Sequence, residues 1–178
     1  MPVFGGDLKF DDAKLDPRGN VTFTYVLENL PLSTEDVFAA SLDYLQKEYR
    51  TTKYKDVQTV PDKGVAYGKG ELNSFFTDNG LVSSEVFSVV YYLRLDAKDG
   101  RARIQLIFKN YDVQKLSDTS DGKTFEVQIS SVAPFANGQN DGRFKKAFKA
   151  LTENANVVLN SVVDKLKSVS SAPVLDEW

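Results

Sequence analysis

The sequence lacks two residue types that carry much of protein chemistry, since it contains no cysteine and no histidine. Without cysteine the chain has no disulfide, no thiolate nucleophile and no thiolate metal ligand. Without histidine it lacks the commonest general base near neutral pH and the commonest zinc ligand, and a serine–histidine triad is excluded. We therefore expect a protein that is not an enzyme, with no catalytic residues, no metal site and no cofactor.

Positive charge is not in excess either. Lys and Arg number 22 against 25 Asp and Glu, which gives a net charge of −3. Nucleic-acid binders usually carry a basic excess, because neutralising phosphates supplies much of their affinity, so no nucleic-acid partner is expected. The longest apolar-rich stretch, 86–95, is far shorter than the ~20 residues of a bilayer span, so no transmembrane segment is expected. No secretory signal is visible at the start.

What is present is typical of one globular domain. The 178 residues are 42% apolar and 26% charged, with no tandem repeat. Residues 1–19 are rich in turn formers and predict an N-terminal arm, 20–169 a single domain, and 170–178 a C-terminal tail.

The first half of the domain predicts a strand, a helix and two more strands. Residues 20–28 alternate apolar and polar side chains, which indicates a half-buried strand. After Pro31, an N-cap at Ser33 or Thr34 and apolar side chains at helical spacing predict a helix to about Arg50. Two strands are then predicted at 57–60 and 65–76, with a turn at 61–64 between them.

Asp99-Gly100 predicts a two-residue hairpin turn, of the type I′ that this dipeptide favours. Counting back from it sets Lys98 opposite Arg101 and pairs apolar with apolar residues on one face. The predicted apolar pairs are Leu95–Ile104, Leu93–Leu106 and Tyr91–Phe108. On the other face the pairs are Asp96–Arg103, Arg94–Gln105, Tyr92–Ile107 and Val90–Lys109.

The rest of the domain predicts a last strand and a long helix. Phe125, Val127 and Ile129 alternate inward, and apolar residues at helical spacing run from Phe144 to Val169. The whole reads as an α+β fold of order β-α-β-β-β-β-β-α, an antiparallel sheet with both amphipathic helices on one face and the other face open.

This layout, with Gly68-Lys69-Gly70 in a strand, the Asp99-Gly100 hairpin and the terminal helix, resembles a bacterial domain of unknown function with a TATA-box-binding-protein-like (TBP-like) fold, found in exported proteins of gut Gram-negative anaerobes. The resemblance covers about 20–110 and, more loosely, the chain to 169. It implies a curved sheet with helices on its convex face, and a periplasmic or cell-envelope location with the signal peptide removed. It implies no activity. The alternative location is the cytoplasm.

The open face gathers the candidate binding residues. An aromatic and guanidinium surface of this kind suits a small anionic ligand, a glycan or a partner protein, and the alternative is a solvated sheet face with cross-strand ion pairs. A non-catalytic binding module is therefore the predicted function. The candidate residues are Tyr92, Arg94, Asp96, Arg103, Gln105 and Lys109, with Tyr67 and Lys69 on a neighbouring strand.

Several alternatives stay open. A glycan hydrolase needs two carboxylates beside a cleft, drawn from Glu71, Asp96 and Glu126. Nucleic-acid binding rests on fold analogy alone. A homodimer through a sheet edge or the open face is also compatible with the pattern. The glycines at 64, 68 and 70 indicate a bulge or a close packing contact rather than a phosphate loop.

Overall fold

The computed structural model describes residues 13–48, 57–117, 122–136 and 142–170. Short 3₁₀ turns at Pro61–Lys63 and Ile129–Ser131 accompany the main elements. The predicted α+β order is confirmed, with one additional short strand at the start. In chain order the elements are β1 (Lys14–Leu15), β2 (Val21–Leu27), α1 (Thr34–Glu48), β3 (Gln58–Val60), β4 (Val65–Asn79), β5 (Ser84–Lys98), β6 (Arg101–Leu116), β7 (Thr124–Gln128) and α2 (Gly142–Ser170).

The strands form one antiparallel sheet in the order β1-β2-β6-β5-β4-β3. The first half of β6 pairs with β2 through Ala102–Phe108, and its second half pairs with β7 through Asn110–Gln114. β2 and β7 therefore lie end to end along the same side of β6. The long hairpin of β5 and β6 is the centre of the sheet.

The hairpin register predicted from Asp99-Gly100 is confirmed from Lys98–Arg101 to Tyr91–Phe108. The predicted Val90–Lys109 pair is wrong, because the register shifts between Val89 and Tyr91. At this point β6 has one residue more than β5, as in a β-bulge. Counting equal numbers of residues along the two strands does not predict such an extra residue.

Both helices cover the same face of the sheet, as predicted. Along β5 and β6 alternate side chains are buried, from Phe87 to Ala97 and from Ala102 to Val113. Helix α2 buries the stripe that its spacing predicts, including Leu151, Ala155 and Leu166. The two helices also contact each other, where Lys165 pairs with Asp43 and the Tyr44 hydroxyl meets Ser161 Oγ.

The β5–β6 turn is fastened to the start of α1. Asp99 Oδ1 accepts hydrogen bonds from the Thr34 backbone N–H (2.9 Å) and from Thr34 Oγ1 (2.8 Å). The Gly100 N–H donates to the Leu32 carbonyl, and the Leu30 N–H donates to the Gly100 carbonyl. Of the two turn residues only Gly100 has a positive φ, 71°, whereas the predicted type I′ turn requires two. The Asp99 side chain accepts the two hydrogen bonds that tie the turn to the start of α1.

Four other details differ from the sequence predictions. Within the predicted N-terminal arm, Lys14–Leu15 joins the sheet as β1. Phe125 was predicted to point inward but is 43% exposed, because β7 is an edge strand that pairs only with the far part of β6. Ile129 is buried as predicted, but it lies in a 3₁₀ turn rather than a strand. The sheet irregularity in β4 lies between Leu72 and Phe76, not at the glycines.

Candidate ligand-binding face

The open face is the sheet face opposite the helices. Cross-strand pairing sets its residues in rows that run across β4, β5, β6 and β2. The row nearest the β5–β6 turn is Val65, Asp96, Arg103 and Val26. The next is Tyr67, Arg94, Gln105 and Thr24, and the third is Lys69, Tyr92, Ile107 and Thr22.

Seven of the eight candidate residues thus lie in three consecutive rows. The eighth, Lys109, lies in the bulge of β6 and lines a depression with Tyr92 and Arg18. Arg18 belongs to the turn between β1 and β2, where Asp16 accepts hydrogen bonds from the Arg18 and Asn20 backbone N–H groups. No sequence pattern indicates Arg18 at this site, because its position depends on how the chain enters β2.

The Asp96 carboxylate forms ion pairs with the arginines of the first two rows. Arg94 Nη2 lies 2.9 Å from Asp96 Oδ1, and Arg103 Nε lies 3.1 Å from Asp96 Oδ2. Burial raises the pKa of the Asp96 carboxyl, but hydrogen bonds from Arg94 and Arg103 outweigh burial and hold that pKa below its usual range. The cross-strand ion pairs that were the alternative interpretation of this face are therefore present, and they leave an excess of one guanidinium charge.

The middle of the open face carries an exposed aromatic side chain. Tyr92 is 46% exposed, and Lys69 Nζ lies 5.8 Å from the centre of its ring. The Tyr67 hydroxyl donates to Gln58 Oε1, and Gln105 Nε2 donates to Thr24 Oγ1 at 3.3 Å. Polar groups and a ring face therefore lie together around Tyr92, as in sites that contact a ligand through one aromatic surface.

A depression of about 210 Å³ lies where the open face meets the β5–β6 turn. We call it the basic depression. Only Asp96 and Arg103 of the predicted candidates reach it. The predicted pairing of Lys98 with Arg101 could have indicated these two cations of the basic depression. The position of Lys63 could not be predicted in this way, because it depends on β4 pairing with β5, which the sequence does not specify. Its lining residues are Val26, Lys63, Asp96, Ala97, Lys98, Arg101 and Arg103.

The far end of the open face is acidic. Burial raises the pKa of Asp112, and the charges of Glu126, its cross-strand partner, and of Glu71 raise it further. Two of the carboxylates considered for hydrolysis, Glu71 and Glu126, therefore both lie near Asp112, while the third, Asp96, lies near the β5–β6 turn at the other end of the open face. Within the described ranges no group of three acidic side chains is placed to hold a metal ion. In the same ranges, no helix is both long and apolar enough to cross a membrane.

Solved structures with the same architecture place the chain in a fold class, the TBP-like α+β domains. A TBP-like protein from Parabacteroides distasonis superposes with a TM-score of 0.63 at 16% identity, covering 90% of this chain and 99% of that one. A DUF4468 family protein from Bacteroides ovatus gives a TM-score of 0.54 at 13% identity, covering 91% and 92%. The TBP-like fold that the sequence resemblance implied is thus confirmed.

Identities this low show a shared fold alone, and nothing about activity follows from them. The sequence matches no protein-family model and none of the curated proteins. The open face is therefore the feature of the domain that bears on its function.

Proposed function

We propose that this domain is a non-catalytic binding module of the cell envelope, and that the open face contacts a small anionic or glycan ligand or a partner protein. The observation that carries the proposal is the position of Tyr92. A large aromatic side chain stays 46% exposed in the middle of the sheet, ringed by cations and amides, although the opposite face buries its aromatic residues.

The chemistry of the surrounding groups supports binding rather than turnover. Lys69, Arg94 and Arg103 offer donors, and Gln105 and Thr24 offer amide and hydroxyl groups. Arg and Tyr are enriched in contact surfaces, where an aromatic ring provides area and a guanidinium provides directed hydrogen bonds. The Asp96 carboxylate is held by two guanidiniums, so it is a poor general base.

The experiment is a titration of the isotope-labelled domain with neutral and uronic-acid oligosaccharides, followed by amide chemical shifts in solution. We expect the shifts to cluster on β4, β5 and β6 around Tyr92. In Tyr92→Ala the affinity should fall about tenfold or more, as for a central aromatic contact.

The matched control is Val157→Ala, which removes a 69% exposed apolar side chain from α2, an element on the other side of the sheet. It should leave the affinity unchanged. Shifts confined to the helices, or equal affinity in Tyr92→Ala and the wild type, would contradict the proposal. Cell fractionation of the native host would test the proposed envelope location separately.

A further inference from the structure

We propose that the basic depression binds a small ligand with two neighbouring oxyanion groups, such as phosphates, sulfates or carboxylates. The inference rests on the proposed function, since the basic depression is one end of the open face, and it names the ligand class. Four cations line the depression, Lys63, Lys98, Arg101 and Arg103, against the single carboxylate of Asp96.

The positive charge of the depression is not neutralised internally. Asp96 is already shared by Arg94 and Arg103. Asp99, the acid nearest in sequence to Lys98, is directed at Thr34. Across the described parts of the chain, Lys63, Lys98 and Arg101 form no ion pair. These three cations are therefore available to a ligand.

Like charges in the basic depression also destabilise the folded domain. Lys98 and Arg101 are direct cross-strand partners, and like charges in that position repel each other. The chain as a whole carries a net charge of −3, so this concentration of cations is a local reversal. An anion bound between the two strands would remove the repulsion, and a guanidinium can bind an oxyanion through two parallel hydrogen bonds.

The surroundings limit the ligand to a small one. Arg101 and Arg103 are two positions apart on one strand, which separates their rows by roughly 7 Å. In the direction across the strands, the row of Arg103 ends in the exposed side chains of Val26 and Val60. Along the strands a long polyanion would reach the acidic end of the face. Two anionic groups a few ångströms apart fit this footprint, and a nucleic acid does not.

Three backbone connections hold the basic depression in shape without a ligand. The Ala97 N–H donates to the Gly64 carbonyl (2.8 Å), which fixes the turn with Lys63 beside β5. The bonds of Gly100 to Leu30 and Leu32 fix the hairpin end. Preformed positions for the cations reduce the ordering cost of binding.

The test is calorimetric titration of the full chain with inorganic tripolyphosphate and, for comparison, with orthophosphate. We expect tripolyphosphate to bind about tenfold tighter or more, because it engages two cationic rows at once. The variant Lys98→Gln/Arg101→Gln should lose about tenfold or more in tripolyphosphate affinity. Both side chains are exposed, so the variant should keep the wild-type circular dichroism spectrum and melting temperature or melt slightly higher.

The matched control is Lys145→Gln/Lys149→Gln, which removes the same charge from exposed positions of α2 and should bind tripolyphosphate like the wild type. Absence of binding, or equal losses in the two variants, would overturn the inference. Citrate and a disulfated disaccharide, titrated in parallel, distinguish carboxylate and sulfate ligands from phosphates.

Failure here is distinguishable from failure of the proposed function. If tripolyphosphate does not bind while oligosaccharide binding still depends on Tyr92, only the anion site falls. If neither is observed, the anion site falls together with the small-ligand form of the proposed function.

Discussion

At the scale of single residues, Gly70 shows how closely the sheet is packed against its own aromatic side chains. Gly70 lies opposite Tyr91 on the helix-covered face, and a Cβ at this position would lie 2.4 Å from Tyr91 Cζ and 2.6 Å from its hydroxyl oxygen. The ring therefore covers the glycine. The glycine-rich stretch of β4 indicates close packing at this residue, which was one of the two interpretations of the sequence.

Gly70→Ala should consequently destabilise the domain by about 1–3 kcal/mol, the usual cost of overpacking, since Tyr91 is buried and has to shift. The measurement is the free energy of unfolding from urea denaturation. Gly142→Ala is the control: at the start of α2 a Cβ meets nothing within 4 Å, so stability should stay the same or rise slightly. Equal stability of Gly70→Ala and the wild type would show that the Tyr91 ring moves away freely.

Tyr111 shows a different property of the core. Its hydroxyl is buried without a hydrogen-bond partner among the described residues, and burial raises the pKa of this phenol well above its usual value. The ring packs against Phe87 and Phe144, so the side chain serves as an aromatic core residue. The alternating pattern predicts Tyr111 in a strand. It does not predict that the hydroxyl lacks a hydrogen-bond partner among the described residues, because that depends on which helix residues face it.

At the scale of elements, the junction between the β5–β6 turn and α1 links two parts of the chain that are distant in sequence. Asp99 accepts two hydrogen bonds from Thr34, and these hydrogen bonds lower its pKa below the usual value. Because the folded-state pKa is lower than the unfolded one, the contribution of Asp99 to stability is present above the unfolded pKa and is lost as pH falls through the folded pKa.

Asp99→Ala should therefore lower the melting temperature at pH 7, since the first turn of α1 loses an acceptor for its N–H. The difference from the wild type should begin to shrink below about pH 4, the pKa of an unfolded aspartate, and should vanish as the pH falls through the lower folded-state pKa, where the wild-type carboxyl becomes protonated. Thermal melts of both proteins from pH 7 to pH 2.5 measure this. Asp62→Ala, which removes an exposed acid from the neighbouring 3₁₀ turn, is the control and should leave the melting temperature at pH 7 close to that of the wild type. A constant difference at all pH values would contradict the role of the charged carboxylate.

The same junction shows what sequence patterns can and cannot predict. The Asp99-Gly100 pair, read with strict alternation, predicted the central hairpin and its polar face as far as Tyr92. Beyond Tyr91 the prediction failed, because a bulge depends on packing against the helices and leaves no local signal. The candidate cluster on β4, β5 and β6 came together because alternation fixes which side chains share a face. Lys63 and Arg18 did not enter it, since they come from turns whose positions depend on strand order.

At the scale of the whole molecule, charge is distributed unevenly over one face. The open face is basic at the β5–β6 turn, aromatic around Tyr92, and acidic around Asp112, which lies near Glu126 and Glu71. The net charge of the chain hides this polarity. A face graded in this way would orient the proposed ligand along the strands, which a uniformly charged surface cannot do.

The sheet edges determine whether this face is free in solution. In the described residues, β3 covers only Val65–Tyr67 of β4, so the rest of β4 presents an edge. That edge is interrupted by the register shift between Leu72 and Phe76, where Ser74 has a φ of 49°. At the opposite side, β1 is only two residues long. Short and irregular edges of this kind disfavour strand pairing between molecules.

We therefore expect the chain to be a monomer of 19.8 kDa at micromolar concentrations, although the sequence patterns left a homodimer open. Size-exclusion chromatography with light scattering measures the mass directly. A mass of two chains would contradict the edge argument, and the ligand titrations would then have to ask whether a second copy occupies the open face. A monomer, in contrast, leaves Tyr92 and the basic depression accessible to solvent, as the proposed binding requires.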